Sequence, residues 1–254
     1  MPNINIKDLC VDFPIFNAHS LSIRNVIIDK LRGRKGNKKS SHKTVRALDQ
    51  INFEVKAGDR IGLIGHNGSG KSTLLRALAG IYHPTAGSIS MTGTVSTLFG
   101  TAFGVNEEMT GYENLFLNSL IFSRDYKKTS AQMEEMAEFT ELGEHLNFPV
   151  RTYSAGMKVR VGFASATNMA PEILLIDEVF GMGDKNFQAK TQKRMVNLID
   201  NTSILFLASH SNALIAQFCN KALHLSHGKV VDFGNVDDVI KSYESYESPR
   251  QIYS

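Results

Sequence analysis

Apolar residues cluster into short runs of strand length at Ile51–Val55, Ile61–Ile64, Ile173–Ile176 and Ile204–Ala208, and the stretches between them repeat apolar residues at helical spacing. Strands alternating with helices predict an α/β fold built on a mostly parallel sheet. Three of the runs are apolar throughout, the pattern expected of strands covered on both faces. The rhythm breaks between residues 106 and 168, where Glu113–Phe122, Ala131–Glu141 and Met157–Thr167 read as helices with little strand between them. That segment is expected to be a helical subdomain inserted in a single domain of residues 1–254. A second irregularity spans 18–43: the amphipathic stretch LSIRNVIIDKL precedes RGRKGNKKSSHK, which carries Arg32, Arg34, Lys35, Lys38, Lys39 and Lys43 without an acid. Residues 235–254 read as a short tail with a helix at Asp237–Tyr246. No repeat of solenoid or propeller length is visible.

Between the strand IGLIG and the helical run TLLRALAG lies GHNGSGKST, a match to G-x-x-x-x-G-K-[ST] in strand–loop–helix context. Such a loop must wrap a phosphate so closely that its backbone N–H groups point inward, and side chains at the glycine positions would obstruct that curvature. Gly65, His66, Asn67, Gly68, Ser69, Gly70, Lys71, Ser72 and Thr73 are therefore the expected phosphate cradle. Lys71 is expected to reach the β and γ phosphates and Ser72 to hold Mg²⁺ through its hydroxyl, with the positive end of the next helix facing the anion.

A second acidic site narrows the chemistry. The segment EILLIDE places Asp177 and Glu178 at the end of a buried strand. Asp177 is expected to support Mg²⁺ and Glu178 to polarise the water that attacks the γ-phosphate. The composition is compatible with this and excludes other classes. With 28 Lys and Arg against 25 Asp and Glu, the net charge of +3 does not by itself argue for a nucleic-acid or membrane partner. A nucleic-acid-binding module built on the basic loop lacks aromatic interleaving and leaves the hydrolytic residues unexplained. Cys10 and Cys219 are too few for a disulfide framework and suit a reducing compartment. No run has the length of a bilayer span, and MPNINIKDLC lacks a signal-peptide pattern, so a cytoplasmic setting is expected.

With Tyr153-Ser154-Ala155-Gly156-Met157 standing shortly before the acidic strand, the chain resembles the nucleotide-binding subunits of ABC transporters, whose signature is usually LSGGQ. The resemblance implies a P-loop NTPase fold of the ABC type: a mostly parallel core sheet, an N-terminal antiparallel β part and a helical subdomain. It also implies a head-to-tail homodimer in which Ser154, Ala155 and Gly156 of one subunit cover the ATP held by Lys71 of the other. Asp184 takes the family's D-loop position. His210, after the strand ILFLAS, takes that of the switch histidine, which contacts the γ-phosphate and holds the attacking water with Glu178. His19, His42, His66, His83, His145, His224 and His227 read as surface or core histidines. Phe13 is the first candidate for stacking on adenine and Phe16 the second, against the alternative that either is core. No Gln lies between Gln50 and Gln132, so the family's Q-loop glutamine is missing; Thr97, Thr101, Asn106 or water remain as its substitutes.

STLFGTAFGVNEEMTGYENLFLNSL, RTYSAGMKVRVGFASAT and IDEVFGMGDKNFQAK together resemble ATP-binding subunits of bacterial polysaccharide exporters, the O-antigen exporters above all, with capsule and teichoic acid exporters as cousins. This implies two copies of a separate membrane permease, a glycan on undecaprenyl diphosphate as the cargo, and a peripheral position at the cytoplasmic face of the inner membrane. Relatives with a C-terminal carbohydrate-binding domain exist, and the short tail is expected to lack one. The basic insert at 18–43 is expected either to face anionic lipid or the diphosphate head group, or to be a solvated loop.

Overall fold

A computed structural model describes residues 1–15, 44–99, 104–123, 125–168, 171–177 and 185–247. The insert at 18–43, Phe16, Thr101, Glu178, Asp184 and the last residues of the tail lie outside the described residues.

Nine strands form two sheets among the described residues. β1 (Asn3–Pro14), β2 (Thr44–Lys56) and β4 (Ala86–Thr92) make an antiparallel sheet in the order β2-β1-β4. The larger sheet has the order β5-β6-β7-β3-β8-β9, from β5 (Val95–Phe99), β6 (Ile173–Asp177), β7 (Ile204–Ala208), β3 (Arg60–Ile64), β8 (Lys221–Ser226) and β9 (Lys229–Asn235). Its first five strands run parallel and only β9 is antiparallel. This is the α/β architecture expected, including the separate antiparallel part.

Alternation along the central strands explains why they read as unbroken apolar runs. Ile173, Leu175, Ile204 and Phe206 join one core with Leu74, Leu75 and Leu78 of α1 (Lys71–Leu78) and with Ile4, Ile6, Ile51 and Val55 of the antiparallel sheet. Leu174, Ile176, Leu205 and Leu207 face the other core, shared with Phe163, Phe187 and Val239. A strand buried on both faces has no polar side to show. Each fully buried Leu, Ile or Phe contributes about 1.5–3 kcal/mol of transfer free energy.

Four helices follow in the second core: α2 (Gly111–Ser123), α3 (Tyr126–Thr140), α4 (Ala155–Ala166) and α5 (Lys185–Asp200), the first three making the helical segment. Local chemistry sets their starts. Thr110 and Glu113 form a reciprocal cap, with Thr110 N donating to Glu113 Oε2 at 2.8 Å and Glu113 N to Thr110 Oγ1 at 3.2 Å. Asp125 accepts from Lys128 N at 3.1 Å to start α3, which ends where Glu141 turns left-handed at φ 57°. Two more helices, α6 (Asn212–Phe218) and α7 (Val236–Glu247), complete the described chain.

Candidate nucleotide site

The five parallel strands end on one edge of the sheet, and their register aligns the residues that matter. Phe99 pairs with Asp177, Asp177 with Ala208, Ala208 with Leu63, and Leu63 with Leu223. Two strand spacings separate Asp177 from Leu63, roughly 10 Å between backbones. The loop after β3, the acidic end of β6 and the turn after β7 thus lie along one edge of the sheet, the edge beside which ligands usually bind in an open α/β sheet.

The loop Gly65–Gly70 uses glycine where nothing else fits. Gly65 has φ +142°, and a Cβ there would stand 2.2 Å from the Leu225 carbonyl oxygen. Gly70, at φ +113°, faces Leu48 and the Ala47 carbonyl at 3.0 and 3.1 Å. Ser69 N donates to His66 O at 3.1 Å, closing the turn, and Leu74 N to Gly70 O at 2.8 Å, starting α1. Lys71 is 8% exposed, and its ammonium donates to Gly65 O at 2.6 Å and His66 O at 3.2 Å. The cation is therefore held against the backbone of its own loop, as a point charge that suits phosphate oxygens. Ser72 and Thr73 are half-buried at the start of α1, while Asn67 and Gly68 are exposed at the loop's tip.

Asp177 is half-buried at the end of β6. Among the described residues no three His, Cys, Asp or Glu side chains gather as a metal cage. Mg²⁺ keeps waters and takes one or two protein oxygens together with phosphate, and the Ser72 hydroxyl and the Asp177 carboxylate are donors of that kind. His210 is exposed on the short turn between β7 and α6. Ser209 Oγ accepts from Ser211 N at 3.1 Å, and Ser211 Oγ caps α6 by accepting from Leu214 N at 3.3 Å, so the turn is braced on both sides of the imidazole.

Ser154 caps α4, its Oγ accepting from Met157 N at 3.3 Å, and Ser154, Ala155 and Gly156 are all exposed. They lie on the helical segment, which α2, α3 and α4 build by packing on one another. Tyr153, in the place of the usual leucine, is buried and donates its hydroxyl to the His145 carbonyl, and burial raises its pKa above the ordinary phenol value. Residues 154–156 are thus presented outward from an anchored base.

Phe13 packs at the rim of the antiparallel core, opposite Val45, and its ring meets Tyr82 edge-on at 5.0 Å and 78°. Tyr82 went unnoticed in the sequence because it lies 69 residues along the chain from Phe13 with no shared motif. Of the substitutes for the missing glutamine, Asn106 spends its side-chain oxygen on Glu108 N at 3.0 Å, and Thr97 lies inside β5 opposite Leu175.

The sequence profile of the ABC transporter family matches residues 48–181. The O-antigen export system ATP-binding protein RfbE of Yersinia enterocolitica is 46% identical over 233 residues, covering 91% of this chain and 98% of that protein. The teichoic acids export ATP-binding protein TagH of Bacillus cereus is 38% identical over 200 residues, 79% of this chain but 36% of that protein. Among solved structures, the dimeric post-hydrolysis state of the ATP-binding cassette MJ0796 bound to ADP and Pi superposes with a TM-score of 0.67 at 18% identity, over 92% of this chain and 98% of that one. The last likeness speaks for the fold alone.

Proposed function

The chain belongs to the ABC transporter family as an ATP-binding subunit, and from that premise we propose that it hydrolyses ATP to drive export of a lipid-linked O-antigen polysaccharide. The observation that carries the hydrolytic part is the register line Leu63–Ala208–Asp177, which brings the phosphate loop, the His210 turn and the acidic strand to one edge of the sheet. The observation that favours O-antigen cargo is 46% identity to RfbE across 98% of its length. The teichoic acid alternative rests on a relative of which the chain spans about a third.

In this reading the triphosphate lies along Gly65–Thr73, with loop N–H groups and Lys71 neutralising its charge. Ser72 and Asp177 hold Mg²⁺, which when bound spreads the charge that develops on the transferring phosphoryl group. Glu178 takes the proton from the attacking water, His210 orients that water against the γ-phosphate, and Phe13 stacks on adenine. Ser154-Ala155-Gly156 of one subunit cover the ATP held by Lys71 of its twin, with Asp184 at the D-loop position, giving two equivalent sites in a two-fold dimer. Closure on ATP and reopening after cleavage move the segment around Phe99–Leu115 against a membrane permease, two copies of which complete the exporter.

No helix among the described residues is long and apolar enough to cross a membrane. In this reading a separate permease holds the subunit at the cytoplasmic face. Removal of this subunit from its host is expected to leave undecaprenyl-diphosphate-linked O-chain inside the inner membrane, with rescue by wild type and none by Glu178→Gln. Normal surface O-chain in the deletion strain would contradict the assignment of cargo.

A further inference from the structure

The turn between β8 and β9 has no part in the nucleotide site as read so far, yet it is bonded directly to the phosphate loop. Gly228 N donates to Ser69 O at 2.9 Å, and Asp49 N donates to Gly228 O at 2.8 Å, so one residue ties the loop to β2. The fit leaves no room for a side chain: Gly228 has φ +77°, and a Cβ there would lie 2.5 Å from the Ala47 carbonyl oxygen. A Cβ on Gly70 would lie 3.6 Å from Gly228 Cα, so the turn also backs the last glycine before Lys71.

Beside this backbone join, two imidazoles meet. The rings of His66, in the phosphate loop, and His227, in the turn at φ 48°, have centroids 4.7 Å apart and are tilted by 51°. His66 Nδ1 lies 2.8 Å from the Asn67 carbonyl, which only accepts, so this nitrogen donates. His66 Nε2 is buried without a hydrogen-bond partner. The ring is thus held from the loop side by its own backbone and from the outside by His227. Behind the turn, Lys229 pairs with Asp49 at 3.2 Å and Asp49 with Arg46 at 3.1 Å, fixing the hairpin to β2.

We propose that His227 and Gly228 are positioning residues for the phosphate loop: the turn holds Gly65–Gly70 in the curvature that aims its N–H groups inward, and the His66–His227 contact sets affinity for the triphosphate. A loop already rigid in its binding shape loses less freedom when the anion arrives, so its affinity is higher while the rate of cleavage is untouched. The inference rests on the reading of Gly65–Thr73 as the phosphate site.

The test compares His227→Ala, His227→Phe and Gly228→Ala in the full chain, with Lys71→Ala as a control on the loop itself. Steady-state ATP hydrolysis, binding of inorganic tripolyphosphate and melting without ligand are measured for each. His227→Ala is expected to raise the KM for ATP and the Kd for tripolyphosphate about three- to tenfold, the range of an aromatic pair, with kcat within about twofold, and His227→Phe to restore both constants by keeping a ring against His66. Gly228→Ala is expected to weaken binding further, or to melt earlier through its clash with Ala47. Wild-type tripolyphosphate affinity in His227→Ala, or a fall in kcat with KM unchanged, would overturn the proposal while Lys71→Ala still loses the ligand. Wild-type tripolyphosphate affinity in Lys71→Ala would overturn the reading of the loop, and the proposal with it.

Discussion

The ammonium of Lys71 donates to the carbonyl of Gly65 at 2.6 Å, so the last basic residue of the phosphate loop is bonded to its first glycine. The contact draws a buried cation back over the loop instead of outward to water. Charge-assisted hydrogen bonds contribute about 1.5–3 kcal/mol each. Lys71→Ala is therefore expected to weaken ATP binding at least about tenfold, with a larger effect on affinity than on the fold. Calorimetric titration with a non-hydrolysable ATP analogue checks it, and an unchanged Kd would count against the role given to Lys71.

The turn that carries His210 is braced by Ser209 and Ser211, so removing the imidazole leaves the local backbone in place. His210→Ala is expected to retain most ATP affinity and lose turnover, and Glu178→Gln to bind ATP with turnover reduced about 10²–10⁴-fold, the usual worth of a general base. Single-turnover hydrolysis alongside equilibrium binding separates the two quantities. Retention of most activity by Glu178→Gln would remove it as the base.

Tyr153 joins the outward-facing signature to the buried helical core through its hydroxyl on the His145 carbonyl. Tyr153→Phe is expected to cost about 1 kcal/mol, a fall of about 2–4 °C in Tm. Gly111→Ala is expected to cost more, because a Cβ there would stand 2.5 Å from the Tyr153 hydroxyl and 3.0 Å from Leu146 Cα. Thermal melts of the two variants give the order directly.

Asp12 is held below its ordinary pKa of 3.8 by hydrogen bonds first from Arg46 and then from Thr85, and Asp49 is lowered by Lys229 and then Arg46. A lowered carboxylate stabilises the fold above its unfolded pKa and loses that contribution as pH falls through the folded value. The melting temperature of wild type should accordingly exceed that of Asp12→Asn at neutral pH, and the gap should close as pH drops below 3.8. A gap independent of pH would show that the Asp12 charge is not what Arg46 and Thr85 stabilise.

Much of the fold was legible because burial on both faces leaves a plain mark: β3, β6 and β7 are the unbroken runs at Ile61, Ile173 and Ile204. The helices between 111 and 166 were legible from their period, and Thr110 with Glu113 spells a reciprocal cap in the sequence itself. The strands missing from those runs are of two kinds: β1, β5 and β8 carry buried residues, but polar ones such as His224 and Ser96 interrupt the apolar run, and β4 is exposed. β4, AGSISMT, has no fully buried residue, so nothing in its composition separates it from a loop. The phosphate loop announces itself because its glycines answer a local need for curvature. Its outer support does not, since Ser69 meets Gly228 only after β8 has been laid beside β3; likewise Tyr82, in the turn before β4, meets Phe13 of β1 only in the folded chain. Glu178 and Asp184 lie outside the described residues, and their roles rest on their order in the chain.

The claim on which the rest depends is that each reaction centre is shared, Lys71 coming from one subunit and Ser154 from its twin. Mixing two inactive variants, Lys71→Ala and Ser154→Arg, tests it most directly. If the sites are shared, a mixed dimer contains one intact site, built from the unaltered loop of one partner and the unaltered signature of the other, and the mixture regains ATP hydrolysis that neither variant has alone. If the mixture stays as inactive as its components while wild type dimerises under the same conditions, each chain holds its own complete site and the account is wrong.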